Sequence, residues 1–586
     1  MRTAQTQVLS RRLTTPTDPG IIMTVGRARI VLIGLGLLFF ALIARALYLQ
    51  VVQQHFLLGQ ADARFRRTLT LEANRGLIVD RNGEPLAIST PVQSIWASPS
   101  GMEAVSQDKL NELARLLELP VSEIAAKLAD KERDFVYIKR QISPELAAKV
   151  MALGIPGIAK QQEYRRYYPA GEMLAQVIGF TGVDGKGQEG LELQREKMLA
   201  GKNGSRVVLK DRRGNIIEDV AAIDPPKDGQ TLTLSIDHRI QYLAYREISK
   251  QVEAAGAKAG SVIVLDGKTG EILAMANVPT YNPNNREKLD PEMRRNRAVV
   301  NMIEPGSTMK PIVTAMALNA GKVTPNTVFD THPYRIGPAT VKDDEFYPSL
   351  TLTGVLQKSS NVGASKMAFM FTPEQMWSFY NEVGLGRLPK TGFPGEVAGR
   401  LRPWKNWRPI EQATMSFGYG VSVSLLQMAR AYTMFTNNGE ELPLSFTKLN
   451  TPLPGVQIIK PENAHAIGQM LIAVTQEGGT AVRARVLGYN VAGKSGTARK
   501  LVNGSYAANQ HVGLFIGFAP VSNPRLIVAV MVDDPTKGSY FGGTVSGPVF
   551  SAVMGGSLRI LGIPPDAPAN NTLVPANPAA EVRETT

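Results

Sequence analysis

The chain has 586 residues, enough for two or more domains each with its own core. It has no cysteine, which excludes a disulfide scaffold and suits an exported bacterial chain without establishing export. Lys and Arg number 65 against 51 Asp and Glu, a formal net charge of +14. No zinc-finger, helix-turn-helix or RNA-binding motif accompanies that charge, so nucleic acid is set aside in favour of an anionic membrane surface or acidic envelope polymers.

In chain order, Arg2, Arg11, Arg12, Arg27 and Arg29 precede the first apolar run against one acid, Asp18. Ile30–Ala44 carries no charge, and apolar character resumes after Arg45 as far as Val52. As a helix, residues 30–52 span roughly 34 Å, enough for a bilayer core. Arg45 then lies near the outer interface with Tyr48 beside it, and the arginines before the span keep the N-terminus, 1–29, cytoplasmic. A cleaved signal peptide is the alternative, since Ala44-Arg45-Ala46 imitates a cleavage site. The long basic leader and the apolar residues beyond that site favour an uncleaved anchor.

Residues 53–228 alternate short strands and helices and contain no catalytic triad. Leu110–Leu119 and Pro144–Leu153 have the spacing of amphipathic helices, and Asn82-Gly83 signals a hairpin. Arg75, Asp80 and Arg166 are expected to form structural ion pairs. Pro225-Pro-Lys-Asp-Gly229 marks a linker, and the strand Gln230–Ile236 opens a second domain, 229–562. From Ile563 the tail, 563–586, carries Pro564, Pro565, Pro568, Pro575 and Pro578 among small polar residues and is expected to be disordered.

Three Ser-x-x-Lys matches occur in the chain. Ser106/Lys109 reads as a helix N-cap in a polar stretch. In Ser445/Lys448, a β-like run after Pro443, spacing of three points to opposite faces. Ser307/Lys310 follows the turn signal Glu304-Pro-Gly and precedes an apolar helix whose start is set by Pro311. There the two side chains share a face at the positive end of the helix, and a lysine held neutral by burial could take the serine's proton. Lys-[Ser/Thr]-Gly also occurs three times. Lys268-Thr-Gly270 reads as a hairpin turn between apolar strands, and Lys390-Thr-Gly392 as a loop between prolines. Lys494-Ser495-Gly496-Thr497 opens the run before the strand at His511, and its glycines permit close backbone approach. Between the two motifs lies Ser359-Ser-Asn361, flanked by helical segments and preceded by the acidic run Asp343-Asp344-Glu345. The order Ser-x-x-Lys, Ser-x-Asn, Lys-Ser/Thr-Gly is that of enzymes acylated on serine by peptides or β-lactams.

The five histidines are scattered and never at ligand spacing, no phosphate loop appears, and no Gly-x-Ser-x-Gly elbow exists, so no metal or cofactor is expected.

With its flanks the chain resembles a class B penicillin-binding protein, most closely the septal transpeptidases of cell division. The flanks are Arg75-Gly-Leu-Ile-Val-Asp80-Arg-Asn-Gly83, Arg166-Tyr-Tyr-Pro-Ala-Gly171, Tyr281-Asn-Pro-Asn-Asn285 and Phe417-Gly-Tyr-Gly420, and similarity runs from about Ile30 to about Gly562. Met309 and Ser495 occupy variable positions, and Phe541 stands where a second tyrosine is usual before Gly542-Gly543.

The resemblance implies a membrane-anchored multidomain protein: one N-terminal transmembrane helix, a non-catalytic α+β pedestal of dimerisation type at 53–228, and an α/β penicillin-binding transpeptidase domain with a five-stranded antiparallel sheet between helical layers. It implies Ser307 as nucleophile, Lys310 as its base, Ser359 as proton relay, and Asn361 as holder of the substrate amide or of Lys310. It implies a substrate-binding strand of Lys494, Ser495, Gly496 and Thr497, with Lys494, Ser495 and Thr497 recognising the terminal carboxylate, and an oxyanion hole made by the N–H groups of Ser307 and Thr497. Expected partners are peptidoglycan stem peptides and lipid-linked precursor strands, β-lactam antibiotics, and divisome membrane proteins including a glycosyltransferase. The expected place is the bacterial inner membrane, with the catalytic domain periplasmic. A D,D-carboxypeptidase or β-lactamase is the nearest rival, although no Glu-x-x-Leu-Asn follows the second motif. A β-lactam sensor or inactive division scaffold is the other, although Ser307, Lys310 and Lys494 are intact.

Overall fold

The computed structural model describes residues 25–54, 56, 66–102, 105–210, 216–219, 224–286, 289–502 and 504–568. Arg2, Arg11, Arg12 and Asp18, and the tail from 569, lie outside the described residues.

The chain divides into two units, residues 1–70 with 205–224, and 71–204 with 225–586. In the first, the helix Val25–Leu47 continues as a π-helical turn, Tyr48–Val52. Val25–Val52 is long and apolar enough to cross a membrane, and no residue of Val25–Leu47 is buried. The helix starts five residues before the expected span because Gly26–Arg29 extend it on its polar side. The Arg45 guanidinium lies 5.5 Å from the centre of the Tyr48 ring. Strands Arg66–Leu71, Gly204–Lys210 and Ile216–Asp219 form a three-stranded sheet in that order.

The second unit holds two cores. Around the long strand Pro85–Ala97 pair Val136–Ile142 and Ile158–Tyr167, both antiparallel, and Ile78–Val79. Helices Gln107–Leu117, Val121–Ala129 and Pro144–Ala152 bury Leu113, Leu117, Ile124 and Val150 against Ile95 and Ile138. The Asn82-Gly83 signal falls in the turn that joins the paired strands Ile78–Val79 and Pro85–Ala97, with Gly83 at φ +94°. Arg75 and Arg166 clasp the fully buried Glu192, at 2.6 and 2.7 Å. Asp80 behaves differently from its expected ion pair. It accepts backbone N–H groups of Asn82, Glu84 and His238 at 2.7, 2.9 and 3.2 Å, and makes no ion pair among the described residues.

The expected linker is laid against the pedestal rather than free. Gly229 N–H donates to Asn74 O at 2.9 Å and Lys227 N–H to Lys202 O at 2.8 Å. The strand that follows is short, Leu232–Thr233, and pairs in parallel with Ile78–Val79, so it closes the pedestal sheet instead of opening the next one.

The second sheet is five-stranded and antiparallel throughout, in the order Ile272–Val278, Ala259–Asp266, Leu526–Asp533, Ser505–Ala519, Ala492–Val502. Every residue of Ala259–Asp266 is buried. Both faces are therefore covered, which is why these strands read as continuous apolar runs without alternation. One face packs on helices His238–Ala254 and Gly547–Ile560: a Cβ at Gly260 would meet Ile248 at 2.6 Å, and Phe515 stacks edge-on with Phe550 at 4.6 Å. The other carries the buried helix Lys310–Asn319 and its neighbours. Ala492–Val502 is an edge strand. The start of the tail is tied down as far as Ala567: Asp566 accepts from Asn490 N–H at 2.7 Å, and Ala567 N–H donates to Gly488 O at 3.0 Å.

Candidate active site

The first motif sits on a 3₁₀ turn, Gly306–Met309, that runs straight into the helix Lys310–Asn319. Pro311 falls in the first α turn, where its missing N–H breaks no helix bond. Three residues per 3₁₀ turn align positions i and i+3, which brings Ser307 and Lys310 onto one line. Two glycines press this turn onto the edge strand. Gly306 has φ +54°, and a Cβ on it would lie 3.1 Å from Thr497 O; a Cβ on Gly496 would lie 2.9 Å from Pro305 O. The Tyr432 hydroxyl donates to Thr308 O at 2.9 Å and fixes the turn from below.

Lys310 is fully buried and joins the first motif to the second: its Nζ donates to Ser359 Oγ at 3.0 Å and to the Ser359 carbonyl. Ser359 has φ +58°, the left-handed region that a residue with a side chain enters at a cost of order 1–3 kcal/mol. Asp343 holds the turn there. Its carboxylate accepts from Ser360 Oγ at 2.5 Å, Asn361 N–H at 2.6 Å and Val362 N–H at 2.9 Å, at the N-terminus of the helix Asn361–Ala368. Ser360 caps the same helix by accepting from Gly363 N–H at 2.9 Å. Within the acidic run each carboxylate has its own surroundings. Asp343 binds a helix start and Glu345 accepts from the Tyr347 hydroxyl. The Asp344 carboxyl is pushed up chiefly by loss of solvent, with the positive charge of Lys310 pulling the other way.

Lys494 is fully buried, and its Nζ donates to Ser495 O at 3.1 Å and lies 3.4 Å from Ser495 Oγ. Strand alternation separates the hydroxyls from Gly496: Ser495 pairs with Phe515 and Thr497 with Gly513, on the face of the Gly547–Ile560 helix. There Ser495 Oγ meets Thr480 Oγ1 at 2.7 Å, and Thr497 Oγ1 accepts from Gly542 N–H at 3.0 Å. The sequence reading gave both hydroxyls to a substrate carboxylate; in the structure each already has a protein partner.

The other matches lie elsewhere. Ser106 is at the N-cap of Gln107–Leu117 but makes no capping hydrogen bond. Lys448 reaches Arg81 O at 3.0 Å, and Lys268 reaches Thr436 O at 2.8 Å from the turn joining two sheet strands. Lys390 is in a loop with φ +61°.

Glu304, three residues before Ser307, was read only as part of a turn. Its Oε1 accepts from Gly420 N–H at 2.7 Å and from the Tyr506 hydroxyl at 3.1 Å, and burial pushes its carboxyl up. Tyr506 meets Tyr419 edge-on at 5.6 Å, and Tyr540 stacks on His511 at 4.1 Å. Thr480 and Tyr506 carry no local sequence signal; a lone carboxylate abutting the motif could have flagged Glu304. Among the described residues no group of three or more His, Asp or Glu is placed to hold a metal ion.

The penicillin binding protein transpeptidase domain family matches residues 260–555, and the penicillin-binding protein dimerisation domain family matches 70–234. A probable peptidoglycan D,D-transpeptidase PenA of Neisseria meningitidis is 52% identical over 546 residues, 93% of this chain and 94% of the relative. The probable peptidoglycan D,D-transpeptidase PbpC of Pseudomonas aeruginosa is 44% identical over 90% of this chain and 94% of its own. The peptidoglycan D,D-transpeptidase FtsI of Escherichia coli is 42% identical over 90% of each. With the catalytic sheet inside the first match and these relatives aligned along most of its length, the chain belongs to the penicillin-binding transpeptidase family.

Proposed function

We propose that this protein is a D,D-transpeptidase that cross-links peptidoglycan during septal wall synthesis and is a target of β-lactams. Ser307 Oγ attacks the carbonyl of a D-Ala–D-Ala bond, Lys310 accepts its proton, and Ser359 relays a proton to the departing D-alanine. Asn361 holds the substrate amide or Lys310. Lys494 supplies the charge for the terminal carboxylate, with Ser495 held against it by Thr480, and the strand at Gly496 and Thr497 pairs with the extended peptide. The N–H groups of Ser307 and Thr497 receive the oxyanion. The acyl group then passes to the amine of a neighbouring stem.

The observation that carries this reading is the buried Lys310, bonded to Ser359 one helical turn from Ser307 while the Ser307 turn presses on the Lys494–Thr497 strand. Lys310 joins the first motif to the second, and the turn that precedes it lies against the third.

The single N-terminal apolar helix fits a single-pass inner-membrane protein. The basic leader places its N-terminus in the cytoplasm and the catalytic part in the periplasm. We divide the chain into leader 1–29, anchor 30–52, pedestal 53–234, catalytic domain 235–562 and tail 563–586, the pedestal boundary moved from 228 because Leu232–Thr233 pairs with Ile78–Val79. The pedestal and anchor meet divisome membrane proteins, among them a glycosyltransferase that polymerises lipid-linked precursors.

Fluorescent penicillin tests the chemistry. The full chain in detergent takes one slowly released label that Ser307→Ala abolishes. Stoichiometric labelling of that variant at another serine refutes the assignment, and rapid hydrolytic release makes the protein a β-lactamase. Deleting the gene tests the septal role: filamentation supports it, whereas rounding assigns the enzyme to elongation.

A further inference from the structure

The backbone that carries Ser307 changes helix type at Lys310, and the change leaves a buried carbonyl without a helical donor. Gly306–Met309 is a 3₁₀ turn, closed by Thr308 N–H to Pro305 O at 3.3 Å and by Lys310 N–H to Ser307 O. The α-helix Lys310–Asn319 has Met309 as its N-cap. An N-cap carbonyl is the first to accept a helical hydrogen bond, so Thr308 O stands one residue outside the α ladder. In a continued 3₁₀ turn it would take the N–H of residue 311. That residue is proline and has none.

Tyr432 supplies the missing donor. Thr308 is fully buried, and a buried carbonyl is costly to leave unpaired. The Tyr432 hydroxyl reaches Thr308 O at 2.9 Å across 124 positions of sequence. Its ring is fully buried and meets Phe435 edge-on at 5.4 Å, which holds the hydroxyl in place. Burial also pushes the pKa of that hydroxyl up, so Tyr432 stays a donor at working pH. Without the hydroxyl, the nearest donor along the chain is Ile312 N–H, four residues on in the α pattern. Accepting it winds the residues between Ser307 and Lys310 toward α geometry. Three residues cover about 360° of a 3₁₀ turn but about 300° of an α-helix. Ser307 would then rotate by about 60° relative to Lys310, about 2 Å at the Cα radius.

We propose that Tyr432 is a positioning residue for the nucleophile: its hydroxyl holds the 3₁₀ geometry that keeps Ser307 in line with Lys310. This rests on the transpeptidase reading, in which the Ser307 proton passes to the Lys310 amine, a step that needs hydrogen-bond reach. Tyr432 acts through Thr308 O and not on a reacting atom. Misplacing a reacting group by about 1 Å costs on the order of 100-fold in rate. Loss of the hydroxyl therefore appears in the rate of acylation and spares binding of the reagent, whose carboxylate is held by Lys494.

The test uses the full chain in detergent and stopped-flow acylation by a chromogenic cephalosporin over a range of concentrations, which separates the plateau rate from the half-saturating concentration. Tyr432→Phe lowers the plateau rate roughly 10- to 100-fold and leaves the half-saturating concentration within about threefold. Phe435→Leu is the control for packing, since it removes the ring that Tyr432 meets and keeps the hydroxyl. Its plateau rate stays within about threefold of the unaltered protein. A plateau rate for Tyr432→Phe within about twofold of the unaltered protein overturns the proposal. An equal loss in Phe435→Leu also overturns it, as does a loss in Tyr432→Phe that falls on half-saturation instead of rate, because both describe general loosening. An unaltered protein that the cephalosporin fails to acylate at Ser307 overturns the transpeptidase reading, and the role of Tyr432 with it.

Discussion

Replacing Asp343 by alanine removes the acceptor of three hydrogen bonds, from Ser360 Oγ, Asn361 N–H and Val362 N–H at 2.5, 2.6 and 2.9 Å. Loss of a capping carboxylate costs ~0.5–2 kcal/mol, and loss of its charge at the positive end of a helix a further ~0.3–1 kcal/mol. The total, about 1–3 kcal/mol, is the size of the penalty for holding Ser359 left-handed. Without Asp343 the Ser359 turn is therefore free to relax, and the Ser359 oxygens move off Lys310. Helix Asn361–Ala368 keeps its own Ser360 cap, so the protein still folds. Each 1.36 kcal/mol of transition-state stabilisation is a factor of ten in rate, so Asp343→Ala lowers the second-order rate of β-lactam acylation by roughly 10- to 100-fold. Asp343→Asn keeps one oxygen for the two backbone N–H groups but loses the charge and the acceptor of the Ser360 hydroxyl, roughly a 5- to 30-fold effect on the same scale. Stopped-flow acylation with a chromogenic cephalosporin reads both numbers. Acylation of Asp343→Ala within twofold of the unaltered protein would mean that the Ser359 turn holds itself, and the reasoning would fail.

Lys494→Ala weakens recognition of the substrate carboxylate more than the reactivity of Ser307, so it acylates slowly with penicillin but retains most activity toward a small thioester lacking a carboxylate. Inertness toward that thioester equal to that of Ser307→Ala refutes the division of roles. Lys310→Ala loses acylation by either reagent, because base and nucleophile act as a unit; acylation at the unaltered rate would remove Lys310 from the chemistry. Glu441, buried beside Arg430 at 3.0 Å, has its carboxyl pushed up from 4.5 to about 7 by burial. The folded protein then holds this proton more tightly than the unfolded chain, so the contribution is full below pH 4.5 and is lost as pH rises to about 7. The loss is at most about 3 kcal/mol, and Glu441→Gln removes this slope in chemical denaturation between pH 5 and pH 8. An unchanged slope in the variant refutes the assignment.

Much of the site was readable because its first links are local. Ser307, Lys310 and Pro311 lie within a single turn, where spacing and a missing N–H decide the geometry. The catalytic strands showed as apolar runs because both faces of their sheet are buried. The boundaries near residue 229 were harder to place. Leu232–Thr233 has strand-forming residues, but which sheet it joins depends on Ile78–Val79, more than 150 residues earlier. Alternation alone predicts that Ser495 and Thr497 face away from Gly496, yet only the structure supplies Thr480 and Gly542 as the partners that occupy them. Asp343 appeared as one of three like charges, and nothing local assigns it to the amides of Asn361 and Val362.

These unreadable contacts follow one physical pattern. The groups that do chemistry stand where local preference opposes them: Lys310 and Lys494 are amine-bearing side chains with no exposure, and Ser359 is in a conformation suited to glycine. Such positions persist only if other residues offset the cost, and in a folded chain those residues arrive from distant segments. Ser359 O and Oγ receive Lys310, the Ser495 carbonyl receives Lys494, and Asp343 fixes Ser359. A motif therefore reveals the reacting groups, while the supports that make them tolerable emerge only from tertiary structure. Altering a support such as Asp343 is the sharper test, because it perturbs the geometry and leaves every reacting group in place.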